Sequence, residues 1–207
     1  MIQYEVLREN IPYEQLFSLM KESFHEREEQ GLDFTVIHFT LENLKKALKG
    51  RPVIVAFEED PQTGERDYLG FQQMIIKGGE AFAGVMAISP KCKRKGIGSK
   101  IEMISEQVAV KEGCSYMTSD TSEVATSSVK WHLKNRYFKY KMRSYPSTNY
   151  YTVFFRKQLK THWFWSVKAF RKIYFYFSAF LCRMYRKKDG SLTAIGSIVF
   201  KIRNIPI

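Results

Sequence analysis

Cysteine is scarce in this chain. Cys92, Cys114 and Cys182 are an odd three among 207 residues, and no two of them have metal-ligand spacing. A disulfide framework and a zinc module are therefore excluded, no metal is expected, and a reducing, cytoplasmic setting fits. The opening MIQYEVLREN lacks an apolar core, so no export signal is expected. Neither an internal repeat nor a low-complexity tract is present, which argues against a solenoid or a linker protein. Long apolar runs are missing too. The uncharged run in the aromatic C-terminal region, Ile173–Cys182, is half of the roughly 20 residues that a membrane span needs. Acid is nearly absent from the last quarter: residues 156–207 carry 12 Lys and Arg against Asp189 alone, whereas the first 155 hold 21 basic and 20 acidic side chains. The net charge of +12 thus belongs almost wholly to the C-terminal quarter.

What is present suffices for a real core. Apolar residues make up 44% of the chain, and its length suits one domain plus an appendage. Ile2–Leu7 reads as a strand. Pro12 opens a helix whose buried stripe is Leu16, Met20 and Phe24, and Gly31 ends it. A second helix covers Leu41–Lys49, followed by strands at Pro52–Phe57 and Tyr68–Ile76 around an Asp60–Gly64 turn. Lys77-Gly78-Gly79 turns the chain into a third apolar strand, Ala81–Ile88. Ser115–Asp120 is a further strand, Thr126–Asn135 a helix, and Tyr137–Ser144 with Asn149–Arg156 a hairpin. The order is β-α-α-β-β-β-α-β-α-β-β, an α/β arrangement of sheet and flanking helices.

The stretch Ala81 to Val108 organises the rest. Ser89 and Pro90 close the strand, and Ile97, Ile101, Ile104 and Val108 mark one face of the helix that follows. Between them stand Lys91, Lys93, Arg94 and Lys95, with Gly96, Gly98 and Lys100 at the helix start. Unpaired amides, the positive end of the helix dipole and five cations suit a polyphosphate. Only Ile97 separates Gly96 from Gly98, so the loop is not a P-loop, and Ile101 stands where a dinucleotide fingerprint needs its third glycine.

Lys93-x-x-Gly96-x-Gly98 after a strand and Ser-Pro resembles motif A of the GNAT superfamily of acyl-CoA-dependent N-acyltransferases, written Gln/Arg-x-x-Gly-x-Gly/Ala. Ser128 to Tyr137 resembles motif B, Ala-x-x-x-Tyr-x-x-x-Gly-Phe, with three departures. His132 stands for the usual Tyr, Arg136 for Gly and Tyr137 for Phe. Ala125 stands where an Asn is often found. The element order is also that of the superfamily. The resemblance covers about residues 1–158. It implies a GNAT fold with a central mixed, largely antiparallel sheet flanked by helices, and it leaves residues 159–207 as a basic, aromatic-rich helical extension.

The resemblance also implies chemistry. Acetyl-CoA is the expected cosubstrate, and a small-molecule or peptide amine attacks its thioester directly. Ala87 and Ile88 offer backbone to the pantetheine arm, with the Ile88 N–H as oxyanion donor. Lys93, Arg94, Lys95, Gly96, Ile97, Gly98 and Ser99 take the pyrophosphate. His132 falls on the acid position, with Tyr137 or Tyr140 as replacement. Glu80 is the first candidate base, with Asp120 and Glu123 as alternatives. Glu26, Arg27 and Glu28 fall where the acceptor site is walled, which implies a polar or charged acceptor. Transfer of a longer acyl chain, or a non-catalytic scaffold, are the competing readings.

The extension has a seam of its own. Trp163, Val167, Phe170, Tyr174, Phe177, Leu181 and Met184 alternate four and three apart, with Lys168, Arg171, Lys172, Arg183 and Arg186 away from them. The expectation is a helix docked by this seam on the protein's own core or on a second copy. Peripheral contact with an anionic membrane, at the inner face, is the sharper alternative, and nucleic acid the least favoured.

Overall fold

A computed structural model describes residues 1–29, 31–160 and 168–197. The chain divides into two compact units after Thr118.

In the first unit the strands lie in the order β1 (Gln3–Leu7), β2 (Val53–Glu59), β3 (Arg66–Lys77), β4 (Glu80–Ile88) and β5 (Tyr116–Ser122), the last running on past the division. β1 to β4 form an antiparallel meander, and β5 joins β4 in parallel. Val53–Phe57 is buried throughout because both sheet faces are covered. On one face, α1 (Tyr13–Glu29) and α2 (Leu41–Leu48) bring Leu16, Leu19, Met20, Leu44 and Leu48 onto Val53, Val55, Phe57 and Phe71. A capping box starts α2: Thr40 Oγ1 accepts from the Asn43 N–H while Asn43 accepts from the Thr40 N–H. On the other face lies α3 (Ile97–Lys111), whose Ser105 hydroxyl donates to the buried Gln72 side chain at 2.7 Å. Gly70 of β3 makes this approach possible. A Cβ there would stand 2.7 Å from the Ile88 Cδ1 and 3.2 Å from the Ile101 Cδ1.

In the second unit the order is β5, β7 (Tyr151–Gln158), β6 (Phe138–Ser144), with β6 and β7 antiparallel. α4 (Thr126–Lys134) precedes them, and its end explains one motif departure. The Tyr137 N–H bonds to the His132 carbonyl and the Arg136 N–H to the Leu133 carbonyl, a Schellman ending. That closure puts Arg136 at φ +67°, where glycine is the usual residue.

The basic helix is α5 (Lys168–Tyr185), and it packs on β6. Here the structure corrects the expected seam. Arg171 lies over the Phe138 ring, Phe175 takes the Lys139 ammonium at 5.7 Å, and Cys182 meets the Ser144 hydroxyl. The docked stripe is therefore Arg171, Phe175, Ser178, Ala179 and Cys182. Phe170, Tyr174 and Phe177 of the expected seam are exposed, Leu181 and Met184 are half-buried, and Trp163 and Val167 lie outside the described residues. The docked face thus joins two long side chains, Arg171 and Phe175, to the small Ser178, Ala179 and Cys182. Among the described residues no helix is long and apolar enough to cross a membrane.

The Arg136 conformation has a measurable consequence. Arg136→Gly should unfold at higher denaturant than Arg136→Ala, by the equivalent of about 1 kcal/mol. The alanine variant controls for the lost side chain, and equal midpoints would contradict a strained helix end.

Candidate active site

The loop after β4 is held by two buried anchors. Cys92, in a short 3-10 turn at Pro90–Cys92, and Ile97 at the head of α3 point into the core. Everything between them is thrown outward: Lys93, Arg94, Lys95 and Gly96 are exposed, as are Lys91 and Ser99. Gly96 caps α3 at φ +83° with no side-chain hydrogen bond, and a Cβ there would meet nothing within 4 Å. The glycine thus serves backbone conformation rather than space. The α3 ladder begins with the Lys100 N–H on the Gly96 carbonyl, so the amides of Ile97, Gly98 and Ser99 have no partner within the helix. Arg94, at φ +65°, shares the left-handed geometry without being glycine, the kind of strain that collects at binding loops.

The expected cofactor residues of the first unit thus fall together at one sheet end, since Ala87 and Ile88 close β4 just before the loop. Two contacts were not legible in the sequence. The Lys93 ammonium forms an ion pair with Glu26 of α1, and this holds the Glu26 carboxyl below its usual range. The Ile88 N–H, expected to be free for an oxyanion, donates to the Ser23 hydroxyl at 3.2 Å. An open cleft of about 460 Å³ adjoins the loop, lined by Lys21, Glu22, His25, Glu26, Glu28, Glu29 and Pro90.

Glu80 is not in this group. It starts β4, pairs with Tyr116 and accepts a hydrogen bond from Thr118. Eight strand steps separate it from Ile88, about 26 Å at roughly 3.3 Å each. A carboxylate there cannot reach an amine poised at Ile88, which corrects the expectation that Glu80 is the base.

In the second unit His132 and Tyr137 are neighbours, with ring centroids 5.4 Å apart and edge to face. His132 is only 4% exposed and stacks on Phe155 at 4.3 Å. Its Nδ1 lies 2.8 Å from the Ser128 carbonyl, which can only accept, so Nδ1 carries the proton. Nε2 is then an acceptor, 3.0 Å from the Ser119 hydroxyl. Burial pushes the pKa down to about 4, against the Ser128 hydrogen bond that favours the cation. A neutral ring with its one proton given to backbone has none for a leaving thiolate. The geometry therefore speaks against the acid role expected of His132. Tyr137 is 3% exposed, with the Lys157 ammonium 5.0 Å from its ring centre.

Asp120 behaves in the opposite way. Neighbouring strand residues face opposite sides, so it looks away from Ser119 and His132. Asp120 is exposed as a residue, and desolvation of its carboxyl by the surrounding protein pushes its pKa up to about 6. Glu123 instead pairs with Lys188 at 3.3 Å.

No model of a known protein family matches the chain, and no curated protein matches its sequence. Solved structures do match. The ribosomal-protein-S18-alanine N-acetyltransferase of Escherichia coli superposes with a TM-score of 0.62 at 10% identity, over 78% of this chain and 96% of that one. PaiA N-acetyltransferase of Thermoplasma acidophilum, in complex with coenzyme A, gives 0.60 at 15% identity, over 75% and 99%. The IAA acetyltransferase of Bacillus cereus gives 0.55 at 13% identity, over 76% and 99%. The fold of this chain is the GNAT acetyltransferase fold.

The His132 assignment makes a pH prediction. The unfolded ring binds a proton near pH 6.5 and the folded ring near 4. Stability should therefore fall as pH drops through that window, by on the order of 3 kcal/mol. His132→Asn should be less stable at pH 7 but should lose that slope. A ring that titrates near 6.5 by NMR would contradict the assignment.

Proposed function

We propose that this protein is an acyl-CoA-dependent N-acyltransferase that moves an acetyl group from acetyl-CoA to a primary amine. The observation that carries the reading is the outward-facing, four-cation loop running into three helix amides without partners in their own helix, set on a GNAT fold. The pyrophosphate of coenzyme A would lie on the amides of Ile97, Gly98 and Ser99, neutralised by Lys93, Arg94 and Lys95. Coenzyme A in the PaiA complex supports a cosubstrate of this type.

Direct attack needs three things of the protein. The thioester oxygen gathers negative charge, and an aligned N–H stabilises it. Ile88 offers that N–H once the Ser23 hydroxyl rotates aside. The amine must be deprotonated, and a carboxyl with pKa about 6 is ionised at neutral pH yet basic enough to accept its proton. Asp120, an alternative carboxylate from the sequence, takes the base role in this reading. The thiolate needs a proton, and with His132 neutral and engaged the role passes to Tyr137, the other candidate of that cluster. The carboxylates around the open cleft beside Pro90 favour an acceptor that arrives as an ammonium ion.

A non-catalytic scaffold is the second reading, and the sealed state of His132 is what favours it. The two separate by measurement. Parent protein should bind acetyl-CoA in calorimetry and acetylate a panel of amines. Gly98→Asp, which adds bulk and negative charge at the phosphate site, should abolish binding. Binding without turnover of any amine would select the scaffold, and undiminished binding by Gly98→Asp would refute the site.

The base leaves a double signature. Activity should rise with pH through about 6, and Asp120→Asn should lose that limb with kcat lower by roughly 10²–10⁴. The same variant should be more stable at pH 7. The folded carboxyl holds its proton to about pH 6 and the unfolded one only to about 4, so ionisation disfavours the fold above that window. Tyr137→Phe should lower kcat with little change in acetyl-CoA affinity. Parent-like kcat in that variant would remove the hydroxyl from the mechanism.

A further inference from the structure

α5 offers a second surface, independent of the acyl-transfer site. Its inner stripe, Arg171, Phe175, Ser178 and Cys182, is spent on β6. Directly opposite, at i, i+3, i+4 and i+7, stand Ile173, Tyr176, Phe177 and Phe180, exposed by 64%, 67%, 60% and 60%. Four large apolar residues on one face of an 18-residue helix are not the scattered exposure of an ordinary surface. No charge interrupts the stripe. The charges stand at its ends and along one flank: Lys168 and Lys172 before it, Arg183, Arg186 and Lys187 after it, all exposed, with Lys188 beyond them paired to Glu123. From Lys168 to Lys188 there is no acid at all.

We infer that this outer face of α5 lies in the headgroup region of an anionic lipid bilayer. An apolar ridge with a cationic rim is the pattern of a helix that rests in the interface plane, apolar side down. The ridge is too short to span: ten uncharged residues rise about 15 Å against a core of roughly 30 Å. Tyr176 can bury its ring while keeping its hydroxyl in the wet layer. The rim supplies the complement to acidic headgroups. Single-stranded nucleic acid fits less well, since it needs cations interleaved with the stacking rings rather than set outside them.

The test is sedimentation of the full chain with vesicles of phosphatidylcholine alone or with about a third phosphatidylserine. The protein should pellet with the anionic vesicles only. Raising salt from about 0.1 M to about 1 M, which shortens the Debye length from roughly 10 Å to roughly 3 Å, should release it. Ile173→Ser, Phe177→Ser and Phe180→Ser together should weaken the partitioning by roughly a hundredfold or more, while acetyl-CoA binding and melting temperature stay as in the parent. Equal pelleting of the triple variant would overturn the proposal. So would absence of pelleting with anionic vesicles. A solution dimer that the three serines dissolve, without vesicle binding, would give the face to a second copy. A shifted oligonucleotide without vesicle binding would give it to nucleic acid.

Discussion

The grip of β3 on β4 along nearly its whole length is the constraint on which the site depends. Pairing runs from Lys77↔Glu80 to Gly70↔Ile88, while the parallel pairing to β5 ends at Phe82↔Thr118. β4 therefore reaches Ile88 as a rigid strand, and Ser89 donates one further hydrogen bond to Leu69. Pro90 then forbids the ladder from continuing, and Cys92 and Ile97 plug the chain back into the core. With both ends pinned, the four residues between them can only bulge outward. Gly96 in the left-handed region allows α3 to begin there at once, so amides without partners in their own helix follow directly on the cations. A binding loop of this kind is fixed by its apolar anchors as much as by its glycines.

In the second unit the controlling term is desolvation, and it acts in opposite senses on two residues. His132 is buried with both nitrogens satisfied, so it is held neutral and serves packing: one hydrogen bond to its own helix, one to β5, a ring on Phe155. Asp120, next to Ser119 in sequence but on the other side of the strand, keeps residue surface in solvent while desolvation raises its carboxyl pKa. The first condition suits a core residue and the second a proton acceptor. One residue along a strand reverses the assignment.

The order of elements was legible in the sequence because long periodic segments and their Gly and Pro punctuation are local properties. So was the loop, since strand, Ser-Pro, cations and glycines stand in one line. Tertiary facts were not. Glu80 looked like a site residue because its strand leads to the site, but it occupies the far end. Ser23 and Glu26 lie some 65 residues before Ile88 and Lys93, and only the packing of α1 on the sheet brings them there. The seam of α5 was read from the heptad spacing of apolar side chains, whereas the strand took the face of Arg171, Phe175 and Cys182, whose partners lie on β6. Arg136 was visible as a departure from a glycine, and only φ explains what that glycine does.

The central claim is that the start of α3 and the end of β4 hold coenzyme A. Amide resonances of 15N-labelled protein, followed as coenzyme A is added, test it residue by residue. The largest shifts are expected at Ile97, Gly98 and Ser99, with a separate response at Ile88 when the thioester is present. Shifts absent from those amides at saturating ligand, or concentrated elsewhere in the chain, would contradict the account.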